Sequence, residues 1–215
     1  MASTAKNAQF AALEIAGTPG SSITITSITK AKPAVVTATN TLAIGDVVVF
    51  GAVTGMPEMN GRIGIVTAAS GTSFTVNIDA AAFTAAGTTG TAVPQTWTKI
   101  SNLADWNGFE GQVSEIDVSN LDSLAKEFRP GLEDFGAVTA SVHFDNADAG
   151  QVAMMTAKSA ATVTYFRMTY LSASVKRAFQ GYVRKFGEQG QVDGVIKAMV
   201  EVRCTGRVAR TEVVN

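Results

Sequence analysis

Alternation of apolar and polar residues in the C-terminal part of the chain is the feature that most limits its possible folds. In "GVIKAMVEVRC" the apolar positions are Ile196, Ala198, Val200, Val202 and Cys204. "GAVTASVHF" repeats the pattern with Val138, Ala140, Val142 and Phe144. Because successive side chains of a strand point to opposite faces, a period of two predicts half-buried antiparallel strands. "ATVTYFRMTYL" and "RAFQGYVRKFG" predict a further pair, joined by a short turn near Ser172–Lys176.

One segment of this region predicts a helix. It is "ADAGQVAMMTAKSA", near Ala147–Ala160, where Asp148 is a suitable N-cap because its carboxylate can accept the unpaired N–H groups of a first turn. Val152, Met155 and Ser159 recur at helical spacing. The predicted architecture is therefore mainly β: a β-sandwich or open barrel with one flanking α-helix.

Residues 21–94 have a different composition, rich in Thr, Ala, Val, Ile and Gly. Five short β-rich runs recur there with turn signals between them: "SSITITSI", "AVVTA", "GDVVVFGAV", "RIGIVTAA" and "SFTVNI". This spacing is typical of a small all-β sandwich or barrel. "AAAFTAAGTTGTAVP" has the composition of a low-complexity exit segment. We therefore predict that 21–94 is a β domain inserted into a discontinuous domain made of 1–20 and 95–215, since exposed loops tolerate insertions.

The overall composition excludes several classes of protein. Charged residues make up 16% of the 215 residues and the formal net charge is -1, which argues against general nucleic-acid binding through a basic surface. The single cysteine, Cys204, excludes an intrachain disulfide. The N-terminal sequence has no charged start followed by an apolar run, and no stretch reaches the length of a membrane span. We expect a soluble protein without membrane insertion.

The sequence offers no recognisable catalytic, cofactor-binding or metal-binding constellation. The only histidine, His143, falls on the polar side of its strand, and Cys204 falls on the apolar side. Acidic residues are frequent between Glu110 and Asp134, and a pair of carboxylates is all that a glycosidase requires. Nothing singles out such a pair, so an enzyme is not expected, and a hydrolase stays open as an alternative.

The segment "EIDVSNLDSLAKEFRPGLEDFG", Glu115 to Gly136, is a long charged connection between predicted strands. Connections of this length are uncommon in compact domains and are usually functional or disordered.

Together with the sequence on either side of it, this segment resembles the tail tube proteins of long-tailed bacteriophages with flexible, non-contractile tails. The resemblance rests on several motifs in order: a Trp in "WTKI", a Glu-Ile-Asp-Val strand, "LDSLAKEFRPGLEDFG", and a strand that ends before "NADAGQ" and its helix. The closing strands "RAFQGYVRKFGEQGQVDGVIKAMVEVRCTGRV" are also similar. The resemblance covers 95–215 and extends to 1–20 as a first strand.

The resemblance implies a structural virion protein that forms hexameric rings, which stack into a hollow tube in the phage tail. Strands of neighbouring subunits would join around a lumen through which DNA passes without specific binding, and a neutral or acidic lining would suit that passage. The implied partners are further copies of the chain and the tape-measure, terminator and distal-tail proteins. Assembly would take place in the host cytoplasm, without a cofactor.

The resemblance further implies that the loop Ser119–Phe135 reaches toward a neighbouring subunit or the next ring. The residues we expect at this inter-subunit contact are Leu121, Asp122, Leu124, Lys126, Glu127, Phe128, Arg129, Pro130, Gly131 and Leu132. The apolar members are hard to hide in a polar loop, and the charged members could pair across the interface and set register. A loop folded back on its own core is the alternative.

The segment 21–94 resembles a small β-barrel module of phage structural proteins, and is distantly similar to a non-catalytic β domain of ubiquitin-activating enzymes. We expect it on the tube exterior, because inward projection would block the channel. Phe50, Phe74 and Phe83 are expected in its core rather than on a sugar-binding platform. Two other functions stay open: a tail-terminator or connector ring, and a two-domain adhesin that binds surfaces or glycans.

Overall fold

The computed structural model describes residues 8–170 and 175–210. The predicted turn near Ser172–Lys176 therefore falls largely outside the described residues. The chain is mainly β, with 53% of its residues in strands and 7% in helices, and this confirms the predicted fold class.

Sixteen strands, one α-helix and one short 3-10 helix make up the described chain. The strands are β1 (Ala12–Ala16), β2 (Ile23–Ile25), β3 (Ser27–Ile28), β4 (Ala34–Thr37), β5 (Val47–Thr54), β6 (Ile63–Ala69), β7 (Ser73–Val76), β8 (Thr89–Pro94), β9 (Trp97–Lys99), β10 (Leu103–Asn107), β11 (Gln112–Asp117), β12 (Phe128–Asp134), β13 (Ala137–His143), β14 (Val163–Tyr170), β15 (Val175–Gln189) and β16 (Lys197–Arg210). The α-helix is α1 (Ala149–Ser159), and the 3-10 helix is Pro57–Met59.

Seven strands form an antiparallel sheet in the order β10-β13-β16-β15-β14-β1-β9, which curls into a nearly closed barrel. The predicted alternation is confirmed on β13 and β16, whose buried apolar side chains are Val138, Ala140, Val142, Ala198, Val200, Val202 and Cys204. Ser141, on the other face of β13, is buried as well. Ile196 was expected to join this series and does not: it precedes the first residue of β16 and is 50% exposed.

The two edges of this first sheet are joined by a short strap, residues 100–102, because β9 and β10 follow each other in the chain. The N–H of Ile100 donates to the carbonyl of Leu13 at 2.9 Å, and the N–H of His143 donates to the carbonyl of Asn102 at 2.9 Å. The strap is therefore hydrogen-bonded to β1 and β13, which lie next to the two edge strands. It closes the gap between those edges, which we call the seam of the barrel.

Helix α1 packs on this strap and begins as predicted, with Asp148 Oδ1 accepting from the N–H of Gln151 at 2.9 Å. Its buried side chains are Gln151, Met154 and Ala157, whereas Val152 and Ser159 are exposed. Of the three residues noted at helical spacing, Met155 packs against the barrel core and the other two face solvent. A Cβ on Gly150 would overlap the carbonyl of Lys99, and this close approach turns the face of Gly150 and Met154 toward the barrel.

A bidentate ion pair reinforces the sheet between β1 and β14. Arg167 donates from Nε to Glu14 Oε2 at 2.6 Å and from Nη2 to Glu14 Oε1 at 2.8 Å, and Thr169 Oγ1 adds a bond of 2.9 Å. The guanidinium also lies 4.7 Å from the centroid of the Trp97 ring on β9. The first strand of the chain is thus fixed between its two neighbours.

The strands between Ile23 and Pro94 form a second seven-stranded antiparallel sheet, in the order β2-β8-β5-β6-β7-β4-β3, and we call this part of the chain the second barrel. Ile28 and Gly87 exchange two backbone hydrogen bonds of 2.9 and 3.0 Å, which bring the free edge of β3 to the chain just before β8. Phe50 and Phe74 are buried in its core as predicted; Phe83 is partly buried beneath the guanidinium of Arg62.

The five predicted strand regions of this second sheet are confirmed, but its exit segment was misread. Residues Thr89–Pro94 form β8, which pairs with both β2 and β5. Gly and Pro are weak signals for a strand, and β8 is held by backbone pairing with two neighbours.

The two sheets contact each other through a small apolar cluster of Val47, Ile65 and Ala178. Asn77 donates to the carbonyl of Arg210 at 2.7 Å, and Lys176 donates to the carbonyl of Gly45 at 2.9 Å. The chain enters and leaves the second sheet side by side, since the N–H of Gly20 donates to the carbonyl of Pro94 at 2.8 Å. A division into separately folding domains stays a prediction.

Candidate functional site: an exposed hairpin arm

The segment expected as a loop is an antiparallel hairpin. We call Gln112–Asp134 the arm: it consists of β11, a tip formed by residues 118–127, and β12. Phe128, Arg129, Pro130, Gly131 and Leu132 therefore lie on a strand, which corrects the prediction, whereas Leu121, Asp122, Leu124, Lys126 and Glu127 lie in the tip. A proline normally argues against a strand, and only the edge position of β12 accommodates Pro130.

The two strands of the arm are paired across a β-bulge. Asp117 faces Phe128 and Glu115 faces Pro130, but Val113 faces Glu133, so β12 carries one extra residue. Gly131 lies at this irregularity, where a Cβ would overlap the hydroxyl of Ser114. The glycine is thus required by close contact within the hairpin, and the bulge increases its twist.

The tip is held in shape by its own polar groups. Asp117 Oδ2 accepts from Lys126 Nζ at 2.9 Å, and Asp117 Oδ1 accepts from the N–H of Ser119 at 2.9 Å. Ser119 Oγ in turn accepts from the N–H of Glu127 at 2.9 Å. Hydrogen bonding by Ser119, and then by Lys126, lowers the pKa of Asp117 below its ordinary value. These contacts define the tip without an apolar core.

Apolar side chains of the arm project into solvent. Leu121 and Leu124 in the tip each have a relative exposure of 105%, and Leu132 and Phe128 on β12 have 88% and 53%. On β11, Val113 and Ile116 are about half exposed. Within the described chain, β11 and β12 pair only with each other. A two-stranded hairpin of this kind is at best marginally stable in water by itself.

The charges of the arm are mostly unpaired. Among residues 8–170 and 175–210, Lys126 forms an ion pair with Asp117, but Asp122, Glu127 and Arg129 form none. Lys126 was expected to pair across an interface, and in the single chain it pairs within the arm. The arm carries six carboxylates against two cations, so it is acidic.

The base of the arm is anchored in the first barrel. Phe109 and Phe135 flank the arm in sequence and are both buried, and the Phe109 ring lies 5.3 Å from the Phe179 ring, edge to face. The N–H of Cys204 donates to the carbonyl of Gly136 at 3.0 Å. A rigid base therefore carries a projecting arm.

The residues considered for chemistry are dispersed. His143 is exposed on β13, and Cys204 is buried in the barrel, where burial raises the pKa of its thiol to about 11. Acidic side chains of the 110–134 region follow both strands of the arm and its tip. No helix among the described residues is long and apolar enough to span a membrane.

A second exposed apolar patch was not predicted from the sequence. Val192, Val195 and Ile196 in the β15–β16 turn are 102%, 60% and 50% exposed, and Met199 on β16 is 44% exposed. The signal was present as apolar residues in the glycine-flanked turn "GQVDGVI". It was obscured because Ile196 continues the alternation of the following strand.

Comparisons with known proteins give a limited likeness. Neither known protein families nor curated proteins give a match. One similar solved structure is the tail of an empty gene transfer agent particle, computed with helical refinement and C6 symmetry: TM-score 0.47, 15% identity, 54% of this chain and 87% of that chain covered. Another is the virion of a native gene transfer agent particle: TM-score 0.47, 14% identity, 54% and 89% covered. Similarity of this degree carries no argument about function.

Proposed function

We propose that this chain is the major subunit of a phage tail tube, a non-enzymatic structural protein that assembles into stacked hexameric rings and forms a conduit for DNA. The observation that carries the proposal is the arm: a projecting hairpin whose Leu121 and Leu124 are completely exposed. The kind of assembly is inferred from the motifs around the arm, which resemble those of tail tube proteins.

Burial of the arm against another copy accounts for residues that nothing in one copy explains. Covering the side chains of Leu121 and Leu124 would stabilise a contact by about 1.5–3 kcal/mol each before the cost of association. The tip is held by its own hydrogen bonds, so less ordering entropy is lost on docking than for a flexible loop. Asp122, Glu127 and Arg129 are then available to select the register of the contact.

The second barrel is proposed to lie on the outside of the tube. Its contact with the first barrel, through Val47, Ile65 and Ala178, leaves the arm uncovered. The proposed setting is a virion tail assembled in the host cytoplasm, with tape-measure, terminator and distal-tail proteins as further partners.

The test is negative-stain electron microscopy of purified protein, concentrated and incubated for hours. We expect hollow tubes with a regular axial repeat. The double variant Leu121→Ser/Leu124→Ser should remain folded by circular dichroism and fail to form tubes. Ile44→Ser is the matched control, because Ile44 is 71% exposed on the second barrel and should be dispensable.

Other results would favour the alternatives. Closed rings that never stack would favour a terminator or connector ring. Monodisperse monomers at every concentration would contradict the proposal and direct attention to surface or glycan binding by the second barrel. Normal tubes from the double variant would remove the role assigned to the arm.

A further inference from the structure

Two arginines face each other at the end of the first barrel from which the arm leaves. Strands β15 and β16 pair so that Arg177 lies directly opposite Arg210. Like charges directly opposite each other destabilise a sheet, so an anion bound between them would stabilise this pair. Within the described part of the chain, neither arginine forms an ion pair or a side-chain hydrogen bond.

Aromatic rings restrain the Arg177 guanidinium. It lies 4.8 Å from the centroid of the Phe109 ring and 5.5 Å from that of the Tyr170 ring. The Trp106 ring lies edge to face with both of these rings, at 6.5 and 5.3 Å. Arg177 Nε and the Tyr170 hydroxyl are buried without a hydrogen-bond partner in the described chain. A guanidinium restrained in this way loses little freedom on binding, and its planar N–H groups match the two oxygens of a carboxylate.

Neighbouring carboxylates do not compensate these arginines. Asp134, at the base of the arm, pairs with Arg203 at 2.5 Å. Glu110, which precedes β11, is exposed and forms no ion pair among residues 8–170 and 175–210. The described part of one copy therefore offers the two arginines no partner carboxylate.

The tip of the arm carries free carboxylates, but it lies far from its own base. Asp122 and Glu127 are exposed and form no ion pair within the described chain. Strand β11 has six residues, so at about 3.3 Å per residue the tip lies roughly 20 Å from the base of the arm. Pairing of the two strands keeps it at that distance. The tip of another copy's arm is not restricted in this way.

We infer that Arg177 and Arg210 form a carboxylate-binding site that receives a tip carboxylate, Asp122 or Glu127, from the arm of a second copy of this chain. This inference rests on the proposed function and names the groups that the arm contacts. Charge favours the arm as the ligand, since it has six carboxylates against two cations, whereas two arms would repel each other.

The position of the site indicates which copy supplies the arm. The site and the arm lie at the same end of the barrel, because Arg177 contacts Phe109 at the base of the arm. Copies related by rotation about a ring axis keep these ends at one level. The contact is therefore heterologous and joins neighbours within one ring.

The test is charge reversal with rescue, followed by negative-stain electron microscopy over a series of protein concentrations. Arg210→Glu and the arm variant Asp122→Lys/Glu127→Lys alter only exposed side chains, and both should stay folded by circular dichroism. We expect each to require about tenfold more protein than the wild type to form tubes, because an attraction becomes a repulsion. The chain that combines all three changes should form tubes at a lower concentration than either parent.

Two further variants are controls. Lys30 is exposed on the second barrel and forms no ion pair in the described chain. Lys30→Glu, added to the arm variant, makes the same change in net charge as Arg210→Glu and should not restore tubes. Glu212→Gln removes the carboxylate that follows Arg210 in the sequence, and we expect normal tubes from it.

Several results would overturn the site and leave the proposed tube intact. They are normal tubes from Arg210→Glu, a combined chain no better than its parents, and equal rescue by Lys30→Glu, which net charge alone would explain. Loss of tubes from Glu212→Gln with normal tubes from the arm variant would assign the carboxylate to the same chain. Failure of the wild type to assemble would instead overturn the proposed function, and this site with it.

Discussion

The side-chain amide of Gln151 donates a 3.0 Å hydrogen bond to the backbone carbonyl of His143. The same amide donates to the carbonyl of Ser101 at 3.3 Å, and Gln151 Oε1 accepts from the N–H of Asp145 at 3.0 Å. One fully buried helix residue thereby holds the strap, the end of β13 and the start of the helix together. A buried side chain thus reinforces the closure that the backbone hydrogen bonds of the strap make.

Gln151→Leu should lower the free energy of unfolding by about 1–3 kcal/mol, because backbone groups that Gln151 satisfies would be left buried without partners. Urea denaturation monitored by circular dichroism measures the change. Gln189→Leu makes the same chemical change at an exposed position and should stay within about 0.5 kcal/mol of the wild type. Equal losses in the two variants would contradict the role of Gln151 at the seam.

Asp148→Asn should reduce stability at neutral pH and have little effect in acid. Burial raises the pKa of Asp148, but hydrogen bonds from Ser101, Gln151 and Gly150 outweigh it and leave the pKa below its ordinary value. A lowered carboxyl pKa stabilises the fold above the unfolded pKa of about 3.9, and that contribution disappears as the pH falls through the folded value. Denaturation midpoints between pH 7 and pH 3 should therefore converge for the two proteins. Asp193→Asn, on an exposed turn, is the control, and a difference independent of pH would contradict the assignment.

Cys204 should resist thiol reagents while the protein is folded. Burial raises the pKa of its thiol to about 11, so at pH 8.5 the thiolate population is roughly two orders of magnitude below that of an ordinary cysteine. Labelling with a chromogenic disulfide should be slow for the wild type and complete after denaturation. Val192→Cys should add one rapidly labelled equivalent, and rapid labelling of the wild type would show that the barrel opens readily near β16.

Deletion of residues 21–94, with Gly20 joined to Gln95, should give a folded chain that still forms tubes. The junction is short because the entering and leaving segments are already hydrogen-bonded, from the N–H of Gly17 to the carbonyl of Thr96 at 3.0 Å. Some stability should be lost, since Ala178 and Trp97 lose their cover. Electron microscopy should show an unchanged axial repeat and a smaller outer diameter. Loss of tubes from a folded deletion variant would place the second barrel in the assembly contacts.

The predictions from sequence succeeded where burial and period coincide. Val200 and Val202 alternate with charged residues because one face of β16 meets the core, and the pattern records that directly. The same reasoning failed for β12, because a strand exposed on both faces carries no alternation and Pro130 argues against pairing. It failed for Ile196 because alternation does not show where a strand begins.

Hydrophobicity was a poor guide to the buried face of the helix. Val152 is more apolar than Gly150 and Gln151, yet Val152 is exposed and the other two are buried. Close approach to Lys99 requires a residue without a Cβ, and closure of the seam requires an amide. Both requirements are set by chain segments distant in sequence, so the periodicity of the helix sequence does not reveal them. The patch at Val192 was overlooked for the related reason that exposure depends on the fold around a turn.

The antiparallel contact between the segments at Gly20 and Pro94 has an evolutionary consequence. A unit whose two ends lie side by side can be replaced at this point without a change in the fold of the first barrel. Tubes built from one barrel could thus acquire different outer coats through recombination at a single locus. The site is equally a position at which foreign peptides could be displayed at high density along a filament.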